Sequence, residues 1–344
     1  MKYRFSSSLL KSLFFIQLIT IILLIPKISN ASLLKQCGTM FKEWVIPPRV
    51  EVIKERTTPR LKELREKYQF IWLTEQKLLP EEINGLSTNE ALKLLKGLKT
   101  GGPSAWKNRR NLRNRTYKIS LNTEQNAIVK HTYLRSEMGD AHVNHTQNYV
   151  KFDVLAFALD RYLETNIVPP AITLSEDTIA ELEIKSSPRK FKPFSEQPEN
   201  LLTATHTRLL DTLLTNPDRI NSDNMRTAPH KGGIAIDFDL AHPVSSMGIF
   251  EAAEECLFAK GIIVDSSKHF IGRKMDLPGI FSRTVVENLR NLNQTILSHL
   301  ATEHDVKLNE KEMNNILSWK ETSLEVIDYW ISTYGENLIL VPGK

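Results

Sequence analysis

The chain has 344 residues, 41% hydrophobic and 25% charged, so it can bury a full core and is neither collagen, coiled coil nor a wholly disordered polymer. Its formal net charge of +5 owes most to one segment. Lys2, Arg4, Lys11 and Lys27 lie within residues 1–31, which hold no acidic side chain; 41 basic and 40 acidic residues then remain, a net charge of +1. Broad nucleic-acid binding loses its support, and no specific nucleic-acid partner is expected.

Residues 1–31 have the layout of a secretory signal peptide: a basic start, a nearly uncharged run from Ser12 to Pro26, and the small residues Ser29, Asn30 and Ala31. The apolar run is shorter than the roughly 20 residues that span a bilayer as a helix, which makes a retained membrane anchor the weaker alternative. A secreted or otherwise extracytoplasmic protein is expected. Cys37 and Cys256 permit one disulfide, but they build neither a disulfide framework nor a cysteine-rich zinc site. Asn114, Asn144 and Asn293 each open an Asn-x-Ser/Thr triplet.

Residues 32–100 read as a helical N-terminal extension that braces the domain C-terminal to it. Apolar residues recur at helical spacing over 61–79, and Pro80 opens a further turn and helix toward Leu98. Thr100-Gly101-Gly102-Pro103 breaks the pattern. Tyr117, Ile119 and Leu121 then alternate as in a strand, a polar turn covers 122–126, and Ile128, Lys130 and Thr132 share one face of a second strand. This hairpin would point Lys130 to one side. Helical period returns over 152–163, with Leu155, Ala158, Leu159 and Tyr162 on one stripe, and stops before Pro169-Pro170.

Segments 172–174 and 178–184 read as strands, 187–194 as a linker, 201–214 as a helix and 234–236 as a short strand. Further helices are expected near 249–259, 282–300 and 309–333. The order of strands with one helix, then a linker, then helices predicts an α+β fold. Its small strand-rich lobe would span 101–194 and its larger helical lobe 195–344.

Two polar loops follow apolar elements, as catalytic groups on a rigid scaffold do. One is Asn216-Pro217-Asp218-Arg219-Ile220-Asn221-Ser222-Asp223-Asn224, the other Ile236-Asp237-Phe238-Asp239. Phosphoryl transfer from a nucleotide needs a carboxylate to orient the acceptor hydroxyl, hard oxygen ligands for magnesium, and a cation on the phosphates. Asp218 could supply the first, Asn224 and Asp237 the second, and Lys130 the third.

Asn216-Pro217-Asp218-Arg219 followed by Ile236-Asp237-Phe238 resembles the catalytic and metal loops of the atypical kinases. That group includes the HipA kinases, the type II phosphatidylinositol 4-kinases and the secretory-pathway protein and sugar kinases. Phe152-Asp153-Val154-Leu155-Ala156-Phe157-Ala158-Leu159-Asp160-Arg161, followed by Asn166-Ile167-Val168-Pro169-Pro170, is similar to the family's helix carrying the acidic partner of the lysine and to the lead into its next strand. The resemblance covers roughly residues 100–245. It implies a two-lobed protein-kinase-like fold, ATP with Mg2+ or Mn2+, and transfer of the γ-phosphoryl group to a hydroxyl of a protein, lipid or sugar.

Residue by residue, the resemblance implies that Lys130 binds the α/β-phosphates and Asp153 is its ion-pair partner. Asp218 would be the catalytic base, Arg219 a loop-ordering residue, and Asn224 and Asp237 the metal ligands. Gly101 and Gly102 would cover the phosphates through their backbone amides. Four features depart from the pattern, the first being Ile220, which takes the place where many relatives have histidine or glycine. Asp153 stands where relatives carry glutamate, with Glu137 as a substitute. Asn224 comes one residue late, with Asn221 and Asp223 as alternatives. The glycine pair lacks a G-x-G-x-x-G sequence. A secreted pseudokinase acting as a binding scaffold and an AMP-transferring enzyme on the same fold are the alternative functions.

Taken singly, each residue has an ordinary explanation. Asp218 follows a turn-forming Asn-Pro pair, Asp237 could cap a helix, and Lys130 and Asp153 could be solvated surface charges. The basic run Lys107, Arg109, Arg110, Arg113, Arg115 and Lys118 suits an anionic substrate, nucleotide phosphates or a membrane surface, and equally a solvated face. His131, His142 and His145 lack the further ligands of a zinc site. The chain has no G-x-S-x-G, Walker or H-E-x-x-H motif, which removes the simplest hydrolase, P-loop and zinc-protease readings.

Overall fold

The computed structural model describes Lys62 and residues 83–101, 110–111, 116–122, 124–132, 149–185, 198–216, 224–228, 232–239, 241, 243 and 279–342. Asn84 and Gly85 both take positive φ, which closes a tight turn between Ile83 and Leu86. Ser87 then starts helix α1 (Thr88–Thr100) with a capping box: its hydroxyl accepts the Glu90 N–H, and the Glu90 carboxylate accepts the Ser87 N–H. This is the turn and helix expected after Pro80.

Five strands form an antiparallel sheet in the order β1-β2-β3-β5-β4: β1 (Arg110–Asn111), β2 (Thr116–Ser120), β3 (Asn126–His131), β4 (Ala171–Ser175) and β5 (Thr178–Leu182). Helix α2 (Lys151–Leu163) connects β3 to β4 in sequence. Because side chains alternate along a strand, each face of the sheet has its own set of residues. Ile119, Ala127, Val129, Ile172 and Ala180 pack with Leu95 and Leu98 of α1 on one face. Ala171 and Ile179 join the core around α2 on the other. Lys130 pairs across the strands with Ile179, and Glu181 with Ile128 and Ala171, so both charged residues stand on the α2 face.

The described residues of the second half of the chain are mostly helical. They comprise α3 (Pro198–Leu214), the hairpin β6 (Met225–Ala228) and β7 (Gly232–Ala235), then β8 (Phe281–Ser282), α4 (Arg283–Asn291), α5 (Gln294–Glu303), α6 (Glu310–Tyr334), α7 (Glu336–Ile339) and β9 (Leu340–Val341). A second capping box, Asn309 with Glu312, starts α6. Phe152 and Phe157 of α2, Leu209, Leu210 and Leu213 of α3, and Val326, Ile327 and Trp330 of α6 share one buried cluster. β8 and β9 pair in parallel, and the Phe281 ring stacks on Trp330 with centroids 6.5 Å apart.

The architecture is α+β, a small antiparallel sheet with several helices, and its elements follow the expected order. Two details differ. The single helix expected over 282–300 is broken at Leu292-Asn293, because Asn293 turns its side chain to accept the Ile296 N–H and caps α5. The short strand at 234–236 has an unanticipated partner in β6. The elements expected over 61–79 (apart from the helical Lys62), 187–194 and 249–259 lie outside the described residues. Among the described residues no helix is long and apolar enough to cross a membrane.

Candidate functional site

Lys130 is 7% exposed, so its ammonium must be paired within the protein. An ammonium has three N–H donors and no acceptor. Three carboxylates surround this one: Asp237 Oδ1 at 3.0 Å, Asp153 Oδ2 at 3.2 Å and Glu181 Oε1 at 3.3 Å.

Each carboxylate comes from a different element. Asp153 lies in the first turn of α2, where the partial positive charge of the helix end favours an anion. Its second oxygen accepts the backbone N–H of Phe238 at 2.7 Å. The Tyr149 N–H, just before α2, donates to the carbonyl of Asp239 at 2.6 Å. The start of the helix is thus fastened twice to the turn after β7. Glu181 stands mid-strand in β5, on the same face as Lys130. Asp237 follows β7 in the left-handed region, φ 65°, and its side chain is 34% exposed, against 2% for Asp153.

Asn224 immediately precedes β6, and its carbonyl accepts the Ile236 N–H at 3.0 Å. The hairpin is thereby extended by one step, which sets buried Asn224 against the residue before Asp237. Asn216 ends the described chain after α3. Its amide donates to Asp211 at 3.1 Å and meets the Asp237 carbonyl at 3.5 Å. Asp218 and Arg219, expected just after Asn216, lie outside the described residues, as do Asn221, Asp223, Glu137 and Gly102.

The segment leading into β4 is held by side chains of α2. Asp160, fully buried, accepts the Ile167 N–H and the Thr165 hydroxyl. Arg161 donates to the Asn166 side chain at 2.7 Å and to the Val168 carbonyl at 3.0 Å. The Ile167 carbonyl then accepts the Ala235 N–H, which ties this segment to the strand that delivers Asp237.

Burial works against the Lys130 charge, but Asp153, Asp237, Glu181 and Asp239 together outweigh it and hold the ammonium well above its ordinary range. Burial pushes the Asp153 carboxyl up to about 7, against the pull of Lys130 and the Phe238 amide. Glu181 is raised as well, again chiefly by burial. These directions share one cause: several carboxylates crowd one buried ammonium, Lys130.

Magnesium takes hard oxygen ligands, keeps several waters, and is bound through one or two carboxylates together with substrate phosphates. Asp237, partly exposed, and Asn224 beside the same turn fit that demand. Among the described residues no group of three His, Cys, Asp or Glu could hold a metal ion. A divalent ion here would therefore depend on the phosphates it accompanies.

Lys130, Asp153, Asp237 and Asn224 are thus gathered around one turn. Lys130 and Asp153 are buried rather than solvated, and no described helix begins at Asp237. Asp153 reaches the lysine directly, at 3.2 Å. Gly101 is placed elsewhere. It caps α1 with its N–H on the Gly97 carbonyl, and α1 covers the opposite face of the sheet, so this placement lends no support to a phosphate-covering role.

Of the basic run, Lys118 in β2 pairs with Glu183 at 2.7 Å, Arg110 lies in β1, and the others are outside the described residues. His131 bonds Thr178 at 2.8 Å, a contact between neighbouring strands. Glu181 was missed by sequence reasoning. Its signal was a lone charged residue within the run Thr178–Leu182, where every residue is buried. No family model matches the chain, and no curated protein does.

Proposed function

We propose that the chain is a secreted or lumenal ATP-dependent kinase of the atypical branch, which transfers the γ-phosphoryl group of ATP to a hydroxyl acceptor. The observation that carries this reading is one buried ammonium, Lys130, held at once by a helix carboxylate, Asp153, and by a carboxylate of the turn after β7, Asp237. Kinase-type phosphoryl transfer requires that arrangement: a strand lysine paired with an acidic residue of a helix, and a metal-binding aspartate in place. The sheet with α2 corresponds to the small lobe of a two-lobed kinase-like fold, and α3 to α6 to the larger one.

In this reading Asp218 takes the proton of the acceptor hydroxyl, whose oxygen forms the new bond to the γ-phosphorus. The bond from that phosphorus to the bridging oxygen breaks, and ADP leaves. Lys130 holds the α/β-phosphates, and Arg219 orders the loop of Asp218. Asp237 and Asn224 would hold Mg2+ or Mn2+, which neutralises charge on the phosphates when bound. The leader-like residues 1–31 support a secretory location.

Thermal unfolding of the chain with ATP and Mg2+ or Mn2+ tests the reading, beside Asp237→Ala. Saturable, metal-dependent stabilisation that the variant lacks is the expected result. A folded protein that shifts with neither metal would instead be a pseudokinase scaffold. Product mass separates phosphate transfer from AMP transfer.

A further inference from the structure

We propose that Glu181 is a specificity-determining residue: its negative charge, set against Lys130, makes nucleotide binding conditional on a divalent cation. The proposal rests on the kinase reading above.

Three carboxylate oxygens lie within 3.3 Å of the Lys130 ammonium, those of Asp153 and Asp237 in hydrogen bonds and that of Glu181 as an ion pair. A phosphate oxygen that approaches this ammonium competes with all three. Asp153 is fixed by its second bond to the Phe238 amide and is 2% exposed. Glu181 stands in a strand paired on both sides, by Ile128 of β3 and Ala171 of β4, and is 6% exposed. Asp237 sits on a turn with a third of its side chain exposed, and it is the carboxylate that a metal ion would claim. Transfer of Asp237 from Lys130 to the metal releases one N–H for the phosphates, while Asp153 and Glu181 keep the ammonium in place.

Without a metal the exchange has no driving force. Asp237 stays on Lys130, and a polyphosphate meets the three carboxylates that already hold this ammonium. Glu181 supplies the part of that negative charge with no other task among the described residues. Asp153 organises the turn through Phe238, and Asp237 is the metal ligand, whereas Glu181 bonds Lys130 alone.

The test is calorimetric titration of the full chain at pH 8.5 with the non-hydrolysable analogue AMP-PNP, in MgCl2 and in EDTA. The wild type is expected to bind only with magnesium. Glu181→Gln, which keeps the shape and removes the charge, should bind AMP-PNP in EDTA at least roughly tenfold more tightly than the wild type does. Glu181→Asp, which keeps the charge, should remain metal-dependent. Glu181→Met repeats the charge removal if the glutamine variant does not fold. Strict metal dependence in the charge-removed variant, or release from it in Glu181→Asp, overturns the proposal while leaving the kinase reading intact. Absence of binding by the wild type with either Mg2+ or Mn2+ overturns both.

Discussion

Asp153 and Phe238 are joined by a 2.7 Å hydrogen bond from the Phe238 amide to the carboxylate whose other oxygen holds Lys130. One buried side chain therefore fixes the start of α2, the strand bearing the lysine, and the turn bearing Asp237. Movement of the helix cannot change the lysine pair without also disturbing that turn.

Asp153→Ala should accordingly cost more than a surface charge does. It leaves the Phe238 N–H without its carboxylate and takes one of three anions from a buried ammonium. Loss of a buried charged partner costs roughly 3–5 kcal/mol. Asp153→Asn keeps an oxygen for the amide and should lose less. Urea unfolding midpoints of the two variants and the wild type give the comparison, and equal midpoints for Asn and Ala would refute the role of the Phe238 bond.

Lys130→Met should make stability fall as pH rises. Lys130 pulls the pKa values of Asp153 and Glu181 down against the burial that raises them, Asp153 to about 7 from an ordinary 3.8, so its removal lets both rise. A carboxyl whose folded value exceeds its unfolded one favours the folded state below the unfolded value, and that contribution is lost as pH climbs through the folded value. The variant is expected to unfold at lower urea at pH 8 than at pH 5, and a flat profile would count against the cluster.

Asp237→Ala should leave the fold in place, since Asp153 and Glu181 still neutralise Lys130. Equilibrium binding of AMP-PNP in MgCl2 should weaken by a factor of about one hundred or more, the loss expected when a charged ligand to a metal–phosphate pair is removed. An unchanged affinity would overturn the proposal that Asp237 is a metal ligand.

His206 predicts a second, independent pH effect. It is 1% exposed in α3, its Nε2 meets the Ser282 N–H at 3.4 Å, and burial lowers its pKa to about 3 from an ordinary 6.5. The unfolded chain binds the proton first as pH falls, so this contribution is intact above about pH 6.5 and is lost toward pH 3. The slope should approach about 1.4 kcal/mol per pH unit within that window. Replacing His206 with Gln should flatten it, as chemical denaturation between pH 7 and pH 4 would reveal.

Much of the fold was legible because its cause is local. Alternation in β2 and β3, the stripe of α2, and the turn and helix after Pro80 are written in neighbouring residues. What escaped depends on contacts between distant segments. Asn293 looked like one more residue of a long helix, yet it pairs with the Ile296 amide and starts a new one. β6 is recognisable only once β7 lies beside it. At the site, the strand period gave the face of Lys130, and Asp153 was expected as its partner only through the resemblance. Glu181 entered only through the register of β5 on β3, which brings its carboxylate to the same ammonium. The loop of Asp218 and Arg219 rests on sequence alone.

The parallel pairing of β8 with β9 makes the two ends of the C-terminal helical stretch meet, with Phe281 on Trp330 behind them. A stretch closed on itself this way cannot fray helix by helix from its end. Amide protons of α4, α5 and α6 should exchange with deuterium together, as one cooperative unit that opens only when the strand pair separates.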